Sequence, residues 1–287
     1  MVRLQFTISL GYQVLDPLCD FIFNIQSAAT PRQRVFDESL DINQAVTSLE
    51  SVQGDEGCRY LRLQASAGRL SVIYRGTVDI DHFRENPAVL REMPVSELTL
   101  GQLRYVYPSR YCQSDRLRAM ANYEFGGLPH GYFRVLAIAQ WVNQRTRFLP
   151  GSSGSATSAV DTMLDHAGVC RDFAHLMISL CRALNIPARF VTGIDYGADP
   201  SLGATDFHAY VEVLLSGRWY LFDPSGVAPP MGLVRLGTGR DAADVSFATV
   251  FGNVICEAPV VQIAALVNLA QGLEQPVYQS LALSNAG

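Results

Sequence analysis

Gly168-Val169-Cys170-Arg171-Asp172-Phe173-Ala174, Phe207-His208-Ala209-Tyr210 and Phe222-Asp223-Pro224 fall in order within one stretch of 57 residues. The stretch begins with a helix. Phe173, Ala174, Met177, Ile178, Cys181 and Leu184 follow Cys170 by 3, 4, 7, 8, 11 and 14 residues, the spacing of one helical face. This predicts an amphipathic helix from Cys170 to about Asn185, stopped by Ile186-Pro187. Strands are expected from Ala188 to Tyr196, Phe207 to Leu215 and Trp219 to Asp223, with Asp199 to Asp206 as a loop and Ser216-Gly217 as a hairpin turn.

These elements carry a thiol, an imidazole and a carboxylate, a set able to attack an acyl carbon without metal or cofactor. A thiol nucleophile works as its thiolate, and the free N–H groups at a helix start favour negative charge there. Cys170 occupies such a start. Of the five histidines (His82, His130, His166, His175, His208), His175 shares the helix but lies about 140° around its axis from Cys170. His208 sits on a strand whose even positions, His208, Tyr210, Glu212 and Leu214, form one face. A two-residue Ser216-Gly217 loop pairs Leu215 with Arg218, so Tyr210 faces Asp223, and Asp223 becomes the diagonal neighbour of His208. Cys170 is then the candidate nucleophile, His208 the base and acid, and Asp223 the group that orients the ring. A helix-start cysteine alone is more often a buried core residue, and a strand histidine or an Asp-Pro turn is equally ordinary. The reading rests on all three occurring together on suitable elements. His166, Cys170, Asp172 and His175 also crowd ten residues, but on two helices at poor angles and with no second ligand pair downstream, so no metal site is expected. Arg171 and Asp172 read as a salt bridge at the helix start, and His175 as a satisfied core or interface residue.

Outward from this stretch, Gly131 to Phe148 has helical spacing through Phe133, Leu136, Ala137, Gln140, Trp141 and Gln144. Ser158 can cap a short helix through His166, with Val160, Met163, Leu164 and Ala167 inside and Gly168 ending it. Residues 1 to about 105 show short alternating runs, Gln5 to Leu10, Cys58 to Leu63 and Gly68 to Val78, broken by turn residues at Gly54-Asp55 and Gly57. They read as a β-sandwich-like domain. Three segments are therefore expected: 1–105, 106–256 and a tail, 257–287, open between a returning strand and a short helix.

With 48% hydrophobic and 17% charged residues, the chain has the composition of a folded protein, and its net charge of −5 argues against nucleic-acid binding. The alternating start, Met1 to Leu10, is unlike a signal peptide, and the longest apolar stretch, Val260 to Ala270, is too short for a bilayer. A cytoplasmic location with no membrane association is expected. The six cysteines are spread without a Cys-x-x-Cys pair, so no disulfide framework is expected.

The motifs at 168–177, 184–193, 208–213 and 222–225, with the run Gly237-Thr238-Gly239-Arg240-Asp241-Ala242-Ala243-Asp244-Val245, resemble the bacterial transglutaminase-like branch of the papain-type cysteine enzymes. The resemblance covers about residues 130–252. It implies an α+β fold, with a nucleophile helix packed on an antiparallel sheet behind a β-sandwich-like N-terminal domain, although the N-terminal sequence departs from the usual pattern. It also implies Cys170 as nucleophile, His208 as general base and acid and Asp223 as orienter. No side-chain oxyanion donor is assigned, and the backbone N–H of Cys170 is the candidate. Tyr210 stands where many relatives carry Trp, a change expected to alter the cleft wall. The expected activity is amide cleavage in a peptide or protein substrate through a Cys thioester, without cofactor. The alternatives are a protein-crosslinking transglutaminase, a non-catalytic scaffold and a deglycosylating amidase.

Overall fold

A computed structural model of the chain describes residues 1–46, 48–199, 201 and 205–286. The N-terminal sheet is dominated by two strands of 22 residues, β1 (Val2–Phe23) and β4 (Arg59–Ile80), paired antiparallel along almost their whole length. β2 (Gln33–Ile42) and β3 (Ser48–Gln53) pair with successive parts of β4 on its other side. The short runs read in the sequence are thus pieces of continuous strands, and Gly68 lies inside β4 opposite Val14.

Alternation in β1 buries Val2, Leu4, Phe6, Ile8, Leu10, Tyr12 and Val14. A register shift between Val14 and Leu18 then brings Cys19, Phe21 and Phe23 to the inside. Residues 12 and 21 of a straight strand would be about 30 Å apart, yet the Tyr12 and Phe21 rings are 5.2 Å apart. The sheet therefore folds over itself, and its two halves share one core as in a sandwich.

A short strand, β5 (Phe83–Glu85), leads into the helical part. Helix α1 (Leu100–Leu103) is a single turn, followed by α2 (Ser114–Phe125) and α3 (Tyr132–Arg145). In α3 the buried apolar residues are Val135, Ile138, Ala139 and Val142, while Phe133, assigned to the patterned face from the sequence, is 59% exposed. Strand β6 (Arg147–Phe148) pairs with β7 (Ala167–Gly168), and between them runs α4 (Ala159–Asp165), capped by Ser158. α4 ends at His166, whose φ of 52° stops the helix before Gly168 does. Leu164, expected inside, is 67% exposed.

Helix α5 (Cys170–Ala183) is buried from Asp172 onward and is packed by α2, α3 and α4. It lies on a sheet ordered β10-β9-β8-β11, made of β8 (Ala188–Asp195), β9 (Phe207–Leu215), β10 (Arg218–Phe222) and β11 (Leu233–Gly239). Phe190, Ala209, Val211 and Val213 share the apolar core with α5. This is the expected α+β arrangement. At the sheet's edge, Val234 and Leu236 of β11 join the N-terminal core together with Ile194 and Met231.

The chain then returns to the N-terminal sheet. β12 (Ala248–Phe251), β13 (Val254–Cys256) and β14 (Val260–Ala265) pair in turn along β1, and β15 (Ala282–Ser284) pairs with β5. The last stretch, 257–287, thus holds a returning strand, a 3-10 turn at Leu269–Gln271 and the short β15.

Candidate active site

Cys170 opens α5, and as the first helical residue its backbone N–H has no intrahelical acceptor. The Asp172 carboxylate caps the helix by accepting from the Val169 N–H at 2.8 Å, and Arg171 pairs with Asp172 at 3.3 Å. The half-buried Cys170 Sγ lies 3.9 Å from the Phe207 carbonyl, at the start of β9, beside His208.

The hairpin fixes Asp223. Arg218 pairs with Leu215, and the register runs on to Phe222 opposite Val211, as a two-residue loop requires. Ser216 and Gly217 both have positive φ, 47° and 81°, as in a type I′ turn. Asp223 follows directly, and its Oδ2 lies 3.3 Å from His208 Nε2. Ser225, which the sequence reading passed over, ties this pair together. Its Oγ donates to Asp223 Oδ1 at 2.6 Å and lies 3.4 Å from His208 Nε2, while its N–H donates to the same carboxylate at 2.9 Å.

A second carboxylate was also missed. β8 pairs Gly193 with His208 and Val191 with Tyr210, so Asp195 lies on the His208 face, diagonal to it across β8. Asp195 Oδ2 is 3.4 Å from His208 Nδ1 and accepts from the Tyr210 hydroxyl at 3.3 Å. The ring of His208 therefore stands between two carboxylates, one at the end of β8 and one directly after β10. Residues 196–206 connect β8 to β9, too long a span for a turn type to set the register; positions 200 and 202–204 of the expected loop lie outside the described residues. Tyr210 is fully buried against His208, with rings 4.5 Å apart, and braces Asp195 instead of forming the expected cleft wall.

Burial of the His208 ring disfavours its charge, but the fields of Asp223, Cys170 and Asp195 outweigh this and hold its pKa well above the ordinary value. Burial also opposes ionisation of Asp223, yet His208 and the hydrogen bonds from Ser225 bring its pKa below the usual carboxylate range. Asp195 goes the other way, raised by burial and by the nearby Asp223. Cys170, Asp195 and His208 border a cleft of about 600 Å³ whose apolar walls include Phe148, Phe190 and the stacked pair Phe207 and Phe247.

The other residues of the crowded segment are engaged elsewhere. The His175 ring stacks on Tyr111 with centroids 5.0 Å apart, and its Nε2 accepts from the Ala242 N–H. Its pKa is pushed down to about 3, chiefly by burial. His166 Nδ1 lies 3.1 Å from the Arg145 carbonyl. Among the described residues no three His, Cys, Asp or Glu side chains are grouped to hold a metal ion. Among them, too, no helix is long and apolar enough to cross a membrane.

The sequence profile of the transglutaminase-like superfamily matches residues 118–224. The solved structure of a candidate cysteine protease from Cytophaga hutchinsonii is 37% identical and superposes with a TM-score of 0.90, covering 99% of this chain and 97% of that one. An uncharacterized protein of Mycobacterium leprae is 33% identical over 117 residues, 39% of this chain and 42% of that protein. Another, from Mycobacterium bovis, is 31% identical over 106 residues, 33% of this chain and 34% of that protein. The chain thus spans less than half the length of these curated relatives. With the family profile on the helix-and-hairpin segment and a 37% identical structure matched end to end, the chain belongs to the transglutaminase-like superfamily.

Proposed function

We propose that the protein is a cysteine hydrolase that cleaves amide bonds of peptide or protein substrates through a thioester on Cys170. The observation carrying this reading is the His208 ring, held by Asp223 at Nε2 and lining the same cleft as Cys170, which stands at a helix start. The Cys170 thiolate adds to the carbonyl carbon, and the Cys170 N–H faces the developing oxyanion. The C–N bond then breaks as the His208 imidazolium gives its proton to the leaving amine. Water attacks the thioester while His208 takes its proton; the carbon–sulfur bond breaks, releasing the acid and restoring the thiolate.

Hydrolysis is favoured because the half-exposed thiol opens on a cleft that water reaches. Transfer to a lysine-like amine is the alternative outcome of the same acyl-enzyme. All six cysteines are unpaired, which supports a reducing compartment such as the cytoplasm.

The test is acylation by p-nitrophenyl acetate followed by peptide mass spectrometry. A hydroxylamine-labile acetyl group on Cys170, lost in Cys170→Ala and slowed by about 10²-fold or more in His208→Ala, is expected. Labelling of Cys170 no faster than that of the exposed Cys256, unchanged in His208→Ala, would favour a non-catalytic scaffold. Adding a primary amine during turnover separates hydrolysis from transfer.

A further inference from the structure

Asp223 occupies Nε2 of His208, so Nδ1 is the nitrogen left for Cys170 and its substrate. Asp195 reaches that same nitrogen at 3.4 Å, while the Cys170 Sγ is directed to the Phe207 carbonyl. Both carboxylates are almost wholly buried, with side chains 2% exposed. Asp195 is not free to swing away, because the buried Tyr210 hydroxyl donates to the oxygen that meets His208.

We infer that Asp195, braced by Tyr210, is a positioning residue that holds the Nδ1 side of His208 ready for Cys170 and keeps the proton there until the leaving amine takes it. The inference rests on the acyl-transfer reading above. One carboxylate at Nε2 fixes the ring's axis and leaves it free to tilt; a second at Nδ1, from the opposite neighbouring strand, fixes its plane. The second negative charge also favours the imidazolium, the form that must stand beside the thiolate before attack. When the proton has left, the Asp195 carboxylate, still held by the Tyr210 hydroxyl, faces an unprotonated Nδ1, and two acceptors side by side favour uptake of the attacking water's proton at that nitrogen.

The titratable and charged groups facing the ring come from each element packed around it. They are Asp195 from β8, Tyr210 from β9, Asp223 beyond β10 and Cys170 from α5. Tyr278, whose hydroxyl donates to the Gly226 carbonyl at 3.1 Å, lies within the field of both carboxylates and the ring.

The experiment titrates the His208 ring by imidazole NMR in full-length Cys170→Ala protein, alone and combined with Asp195→Asn or Tyr210→Phe. Removing the charge of Asp195 is expected to lower the His208 midpoint by about one pH unit. Tyr210→Phe, which weakens the ionised form of Asp195, is expected to give a smaller fall of the same sign. In the enzyme with Cys170 intact, the basic limb of kcat/KM should move down with the NMR midpoint. An unchanged midpoint in both variants, with near-UV circular dichroism like that of the parent, would overturn the inference and leave Asp195 a structural residue. The NMR midpoint needs no turnover. Failure of the acyl-transfer reading is detected separately, by absence of the Cys170 thioester.

Discussion

At the scale of the residue, the site is governed by how the environments of His208, Asp195 and Asp223 divide charge among three buried groups. Each would lose its charge if buried alone. Together, Asp223 ionises more readily than a free carboxyl, His208 holds its proton more tightly than a free imidazole, and Asp195 ionises less readily, although the nearby His208 opposes that rise. This has a consequence for stability. A group whose pKa is raised on folding contributes stabilisation fully below its unfolded value and loses it as pH rises through the folded value. For His208 the unfolded reference is 6.5 and the folded value lies well above it. The stability advantage of the parent over His208→Gln in urea unfolding should therefore be largest below about pH 6.5 and shrink steadily on the alkaline side. A gap that widened with pH would mean that the ring is buried neutral and that the carboxylates are held by other donors.

At the scale of the element, a short turn carries one carboxylate to the site, while a long connection delivers the other. Ser216-Gly217 is a two-residue loop, so counting back from it gives the register of β10 on β9 and places Asp223 beside His208 from the sequence alone. The helix start at Cys170 was equally legible, because six apolar residues repeat along one face and Pro187 stops the run. Asp195 was not legible, because nothing in residues 196–206 sets how β8 pairs with β9. Ser225 was missed because its role comes from a turn folded back on Asp223, which no periodicity reports. The extent of β1 and β4 was hidden for a related reason. Gly68 and the shift at Val14/Leu18 look like breaks in a pattern, but the strands continue through them and bend. The hairpin can be tested directly. A Cβ on Gly217 would meet nothing within 4 Å, so its cost is the positive φ of 81° alone. Gly217→Ala should lose about 1–2 kcal/mol in urea unfolding, with kcat/KM per folded molecule unchanged, since the strand register is also held by the buried Tyr220 and Phe222.

At the scale of the whole molecule, the catalytic sheet and the N-terminal sheet are joined through a buried ionic knot on the His208 face of β9. Glu212 accepts from Arg189 Nε at 2.7 Å and is bonded on its other oxygen by Arg235, all three side chains being 1% exposed or less. Arg235 also donates to Asn285 Oδ1 at 2.7 Å near the C-terminal end, and its backbone N–H donates to Gln33 Oε1 at the start of β2. Arg189 is further held over the Trp219 ring, 4.1 Å from its centroid. Arg189 Nη1 also pairs with the more exposed Glu56 at 3.2 Å, so Glu212 is the one buried carboxylate that joins the two guanidinium groups at the junction of three parts of the chain. Pairing of this kind adds little net stability over an apolar core, but removing one partner leaves the rest charged and dry. Glu212→Gln keeps the shape and removes the charge, so it should cost about 3–5 kcal/mol in urea unfolding. Because the knot bonds residues of both sheets, the loss should appear as one earlier transition, seen at the same urea concentration by the fluorescence of Trp141 and Trp219, both outside the N-terminal sheet, and by far-UV circular dichroism dominated by the β strands. Two separated transitions would show instead that the sheets unfold independently and that Glu212 stabilises only its own.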